Sequence, residues 1–216
     1  NFAEAYFYLG NALDNAGQYN QAVENYKHTI QLKPDFIEAY INLARLYVKL
    51  NDCQKAIECC SQIIEIKPDY AEAYNNIGVA YNKLGRYQEA IEYYKRAIEI
   101  ASDYAEAHYN LGVTYGRLGQ DTEVIKALKR AIEINPEYAE ANHNLGIAYV
   151  RLEQYQEAIE ALKEAIRLKP DYAEAYYKLG LVYLMIGEKD SAMEAYKALK
   201  ILAPDGADTL LSQINK

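Results

Sequence analysis

The chain has 216 residues, 51% of them apolar and 25% charged, a balance that suits a packed globular protein and excludes intrinsic disorder. Its net charge of −8, with a pI near 5, argues against a nucleic-acid partner, which needs clustered Lys and Arg. No apolar run approaches the roughly 18 residues of a membrane span. With Asn1 in place of an initiator Met and no basic-then-apolar leader, the sequence is expected to be a segment of a longer protein.

The five prolines, Pro34, Pro68, Pro136, Pro170 and Pro204, stand 34, 68, 34 and 34 residues apart, so the chain is periodic. Rows of 34 begin at Ala3, Ile37, Ala71, Ala105, Ala139 and Ala173. Each opens with a column that is mostly tyrosine (Tyr6, Tyr40, Tyr74, His108, Asn142, Tyr176). Three residues on comes an apolar column (Leu9, Leu43, Ile77, Leu111, Leu145, Leu179), followed at once by a small one (Gly10, Ala44, Gly78, Gly112, Gly146, Gly180). An aromatic column lies three further along (Tyr47, Tyr81, Tyr115, Tyr149, Tyr183, with Leu13 in the first row). Offsets of three, four and seven put these residues on one face of a helix.

The break at Gly17, Asn51, Gly85, Gly119, Glu153 and Gly187 predicts a short turn at the helix C-terminus. A second helix follows in each row, with Ala22, Ala56, Ala90, Val124, Ala158 and Ala192 as its small column. Tyr26, Cys60, Tyr94, Leu128, Leu162 and Tyr196 form its large one. Proline then stops this helix, and the Asp or Glu after it is expected to open the next.

These columns resemble the tetratricopeptide repeat, whose pattern is W-x₂-L-G-x₂-Y, then A-x₃-F, then P at a 34-residue period. Here it reads Tyr74-x-x-Ile77-Gly78-x-x-Tyr81, then Ala90-x-x-x-Tyr94. The resemblance implies an all-α fold, an α-solenoid of helix–turn–helix units forming a right-handed superhelix. Residues 1–206 would hold six repeats (3–36, 37–70, 71–104, 105–138, 139–172 and 173–206). Residues 207–216, with Leu210, Leu211 and Ile214 on one side, would form the polar-backed capping helix that a solenoid needs.

No catalytic constellation emerges. His28, His108 and His143 fall in unrelated columns, none within an H-E-x-x-H, and no C-x-x-C pair exists to hold zinc. Neither an enzyme activity, nor a metal, nor a cofactor is expected. Cys53, Cys59 and Cys60 sit too close along one helix for a disulfide framework. They point to a reducing compartment such as the cytoplasm.

Candidate binding residues lie on the first helices, opposite the packing stripe. The resemblance implies that this face lines a concave groove receiving extended peptides or protein segments. Asn42, Asn76, Asn110 and Asn144 recur there at the repeat period. Asn offers one acceptor and two donors, suited to gripping backbone amides without demanding a sequence. In this column the chain is similar to the repeat arm of O-linked N-acetylglucosamine transferases, which makes a substrate-recruiting arm of a larger glycosyltransferase an alternative function. Arg45, Lys49, Lys83, Arg117 and Arg151 add basic groups, and Tyr109, His143 and Tyr177 complete the candidate set. The column Asn11, Arg45, Val79, Val113, Ile147 and Leu181 turns apolar toward the C-terminus, and with Tyr109, Val150, Tyr177 and Leu184 it makes the groove partly apolar in the fourth to sixth rows. Glu72 and its repeat equivalents occupy the place where a chaperone-tail carboxylate clamp would need Lys, so that ligand is not expected. Self-association through repeat faces is a third possibility.

Overall fold

The computed structural model describes residues 2–215. Asn1 and Lys216, at the two ends of the expected array and cap, lie outside the described residues. The described chain forms thirteen α-helices and no strand, in two compact units, Asn1–Ala107 and His108–Lys216. The first unit contains the pairs α1 (Phe2–Asn15) and α2 (Tyr19–Leu32), α3 (Ile37–Lys49) and α4 (Cys53–Ile66), and α5 (Ala71–Lys83) and α6 (Tyr87–Ile100). The first turn of α7 (Ala105–Arg117) belongs to it as well. In the second unit the rest of α7 is followed by α8 (Asp121–Ile134). Then come α9 (Ala139–Arg151) with α10 (Tyr155–Leu168), α11 (Ala173–Met185) with α12 (Lys189–Leu202), and α13 (Pro204–Ile214).

The turn within each pair is built the same way six times. In the first, Gln18 N–H donates to the Leu13 carbonyl at 2.8 Å and Gly17 N–H to Asp14 at 2.9 Å. The same two bonds recur from Asp52 and Asn51, Arg86 and Gly85, Gln120 and Gly119, Gln154 and Glu153, and Glu188 and Gly187. This is the Schellman arrangement, whose pivot residue adopts a left-handed conformation. Four pivots are glycines with φ between 70° and 81°, whereas Asn51 (φ 66°) and Glu153 (φ 59°) reach it with a Cβ.

Between pairs, the acidic residue after proline does not open the next helix as expected. Asp35 and Asp69 lie in the turn, and the helices begin two residues later behind Phe36 and Tyr70, with no side-chain cap. The first-turn acid that complements the helix dipole is instead Glu38 or Glu72, or its repeat equivalent.

Each unit has its own core. In the first, Leu43, Ile77, Tyr26 and Ile63 are at most 3% exposed, and in the second Leu128, Leu162, Leu199 and Leu210 are at most 1% exposed. Full burial of such side chains stabilises by ~1.5–3 kcal/mol each. The small residues Ala39, Ala73, Ala141 and Ala175 on the first helices have no exposed surface, so neighbouring backbones pack closely there.

The last helix starts at Pro204, three residues before the expected cap. Proline lacks only an N–H that a first helical turn does not use, and its fixed φ suits that position. Pro204 therefore begins a helix where the other four prolines sit in turns. Leu210 of α13 packs over Gly180 of α11, and Ala207 and Ile214 are also buried.

Candidate functional site

In the first unit the candidate residues mostly engage neighbouring helices. Asn11 Oδ1 accepts hydrogen bonds from the Tyr26 hydroxyl and from Asn42 Nδ2, both at 2.8 Å. Arg45 pairs with Glu72 of α5 at 3.1 Å. Lys49 lies 3.7 Å from Asp14 and 4.2 Å from the centre of the Tyr19 ring. Lys83 Nζ donates to the Val48 carbonyl. Arg45 and Lys49 are each about half exposed, so their ion pairs contribute at most ~1 kcal/mol in water. Asn76 differs: it is 7% exposed, and its buried Nδ2 has no hydrogen-bond partner. An unsatisfied buried donor costs ~1–3 kcal/mol.

In the second unit, Asn144 Nδ2 donates to the Tyr109 hydroxyl at 3.1 Å, joining α9 to α7. The Tyr109 ring stacks on Tyr138, with centroids 4.7 Å apart. Asn110 is half-buried on α7, and its carbonyl accepts from Thr114 Oγ1 at 2.8 Å. Arg151 donates to Asp121 at 3.1 Å and to the Gly116 carbonyl at 3.4 Å. Arg117 and Lys178 make no ion pair with another described residue; the Lys178 ammonium stands 6.0 Å from the Tyr177 ring centre.

His143 was expected on an open face, yet it is only 5% exposed because α11 packs over it, with the Tyr172 ring 4.8 Å away. Burial pushes its imidazole below the ordinary 6.5, opposed by Glu174 and the neighbouring Asn144 amide and reinforced by Lys178. At neutral pH the ring is uncharged, with one nitrogen as donor and the other as acceptor. Its Nε2 is buried and has no hydrogen-bond partner.

Two adjoining clefts lie on this face of the second unit. The smaller, about 230 Å³, is lined by Val113, Arg117, Asn144, Ile147 and Arg151. The larger, about 610 Å³, is lined by His143, Asn144, Ile147, Glu174, Tyr177 and Lys178. They share Asn144 and Ile147. The far wall of the larger cleft comes from Leu199, Ala203, Gly206 and Thr209 at the end of α12 and the start of α13. Sequence reasoning missed that wall because it sought the site on the first helices alone. Among the described residues no group of three or more His, Cys, Asp or Glu could hold a metal ion. No described helix is long and apolar enough to cross a membrane.

Stacked helix pairs with short Schellman turns and a cleft-bearing first-helix face define an all-α helical-repeat protein. Models of the tetratricopeptide repeat match residues 15–77, 69–137, 127–160 and 174–206, and a TPR-repeat model matches 148–187. The chain is an array of tetratricopeptide repeats. It is similar to the crystal structure of MamA, at 28% identity over 76% of this chain and 96% of that one, with a TM-score of 0.64. It shares the fold of YrrB, described as a TPR protein with an unusual peptide-binding site, at 23% identity, 88% and 99% coverage and a TM-score of 0.69. It also shares the fold of PilW, a type IV pilus biogenesis factor, at 23% identity, 97% and 98% coverage and a TM-score of 0.84. No curated protein matches the chain.

Proposed function

We propose that the chain is a non-catalytic interaction module that receives an extended peptide or protein segment on the first-helix face of its second unit. The observation that carries this reading is the pair of adjoining clefts joined at Asn144 and Ile147. Apolar floor and sparse polar groups are the usual make-up of a ligand cleft. Arg117 and Lys178, which make no ion pair with another described residue, are available to a ligand's backbone carbonyls. Asn144 uses one amide hydrogen on Tyr109 and keeps a second hydrogen for a peptide backbone. Asn76 provides an unsatisfied donor on the first unit's face.

The asparagine column alone does not favour a glycosyltransferase arm, since Asn42 and Asn144 already bind Asn11 and Tyr109 within the fold. A test is selection of peptides from a random displayed library on the whole chain, counter-screened against R117E/N144A. Peptides that bind the parent at least tenfold better than the variant support the proposal. Recovery of peptides that bind both equally, with the variant's melting unchanged, refutes it.

A further inference from the structure

The larger cleft of the second unit holds a feature that a general backbone grip does not use. His143 presents a buried nitrogen, Nε2, with no partner, although the residue is only 5% exposed and lines a space of about 610 Å³. Buried polar atoms are nearly always satisfied, so an orphan beside an open cleft marks a place where a ligand supplies the missing bond. The surroundings restrict that ligand. Glu174 and Lys178, charges of opposite sign on one helix, both line the cleft and make no ion pair among the described residues, which favours an occupant without net charge. The remaining lining is mostly apolar, with Tyr177, Ile147, Leu199 and Ala203, and has Asn144 and Thr209 as its polar members.

We propose that this cleft is an anchor pocket for a phenol, the side chain of a tyrosine in the bound segment, whose hydroxyl pairs with His143 Nε2 while the ring lies on the apolar wall. This rests on the reading that the face receives a peptide and names one residue that peptide carries. A phenol meets the orphan in either imidazole tautomer, because its hydroxyl both donates and accepts. A carboxylate only accepts, and Glu174 opposes it. An aliphatic side chain fills the space but leaves Nε2 unsatisfied.

The probes are two uncharged model compounds, N-acetyl-tyrosinamide and N-acetyl-phenylalaninamide, titrated into the intact chain. With three histidines in the sequence, ring nitrogen and proton NMR signals report on each. The tyrosine compound is expected to shift the His143 ring saturably, and to bind about tenfold more tightly than the phenylalanine compound, the usual size of one added hydrogen bond to a buried orphan. H143F should erase the preference, and H143Q, which keeps a hydrogen-bonding group, should retain part of it. Equal binding of the two compounds to the parent overturns the proposal. So does a saturable shift at His28 or His108 in place of His143, or tighter binding by N-acetyl-glutamate amide. The parent comparison needs no variant, so a folding failure of H143F leaves the decision intact. Peptides selected in the library screen without a phenol preference would remove the anchor and leave the interaction face standing. A phenol preference without any selected peptide would do the reverse.

Discussion

Tyr94 lies so close to the backbone of Gly78 that a Cβ on that glycine would stand 2.6 Å from the ring's Cε1 and 2.7 Å from its Cδ1. The ring is 1% exposed, so it has little room to retreat. The same column pairing recurs where Gly10 meets Tyr26, Gly112 meets Leu128 and Gly146 meets Leu162. In the second row, where the glycine is replaced by Ala44, the large column holds the smaller Cys60.

G78A should therefore destabilise the protein by ~1–3 kcal/mol, as overpacking of a filled site does. Urea denaturation followed by circular dichroism measures this. G78A/Y94C, which copies the Ala44–Cys60 combination, should cost less than the sum of the two single changes. Simple additivity would show that the contact does not limit the site.

Glu153 is the only acidic residue at the turn pivot, with φ 59°, where four of the six repeats use glycine. A left-handed backbone costs a residue bearing a Cβ ~1–2 kcal/mol. E153G should raise stability, by ~1 kcal/mol or less after glycine's greater flexibility in the unfolded chain is offset. G85A should lower it. A loss of melting temperature in E153G would mean that the Glu153 side chain has a role the turn geometry does not reveal.

The thiols should be slow to react in the native protein. Cys60 is 0% exposed and Cys59 9%, and burial pushes Cys59 up to about 12 and Cys60 higher still. Thiolate, not thiol, is the nucleophile. Labelling with a chromogenic disulfide at pH 8 should proceed at a small fraction of the rate seen in denaturant. Rapid labelling of Cys60 in the folded chain would contradict this packing.

His143 predicts a specific pH dependence. Its folded pKa is depressed below 6.5, mainly by burial, so the unfolded chain takes up the proton first as pH falls. Stability is unaffected above about 6.5, declines as pH drops through that value, and levels off below the folded pKa. The paired carboxylates Glu24, Glu89 and Glu164 titrate below 4.5 and lose their contribution only in more acidic solution. Melting temperatures between pH 7.5 and 5.5 should fall more steeply for the parent than for H143Q. Parallel curves would place His143 in a less buried setting.

The helix pairs were legible because each repeat writes the same packing columns, and the turn column at Gly17 to Gly187 marked its pivots. Helix starts were less so: Asp35 follows a proline like a cap, but the backbone turns for two more residues. Asn42 and Asn76 are indistinguishable in the sequence. One is bound to Asn11 and the other has an orphaned nitrogen, a difference set by which side chains the preceding helix brings near.

By itself, the 34-residue period determined the all-α repeat class, the helix pairs and the close-packed columns, because each row must bury the same face against its neighbours. Only the tertiary structure decided which candidates remain open to a partner. It closed His143 under Tyr172, tied Arg151 to Asp121, left Arg117 and Lys178 without ion pairs among the described residues, and brought the start of α13 to the cleft. The physical reason is that periodicity encodes contacts every repeat shares, whereas a site is made by the residues in which repeats differ.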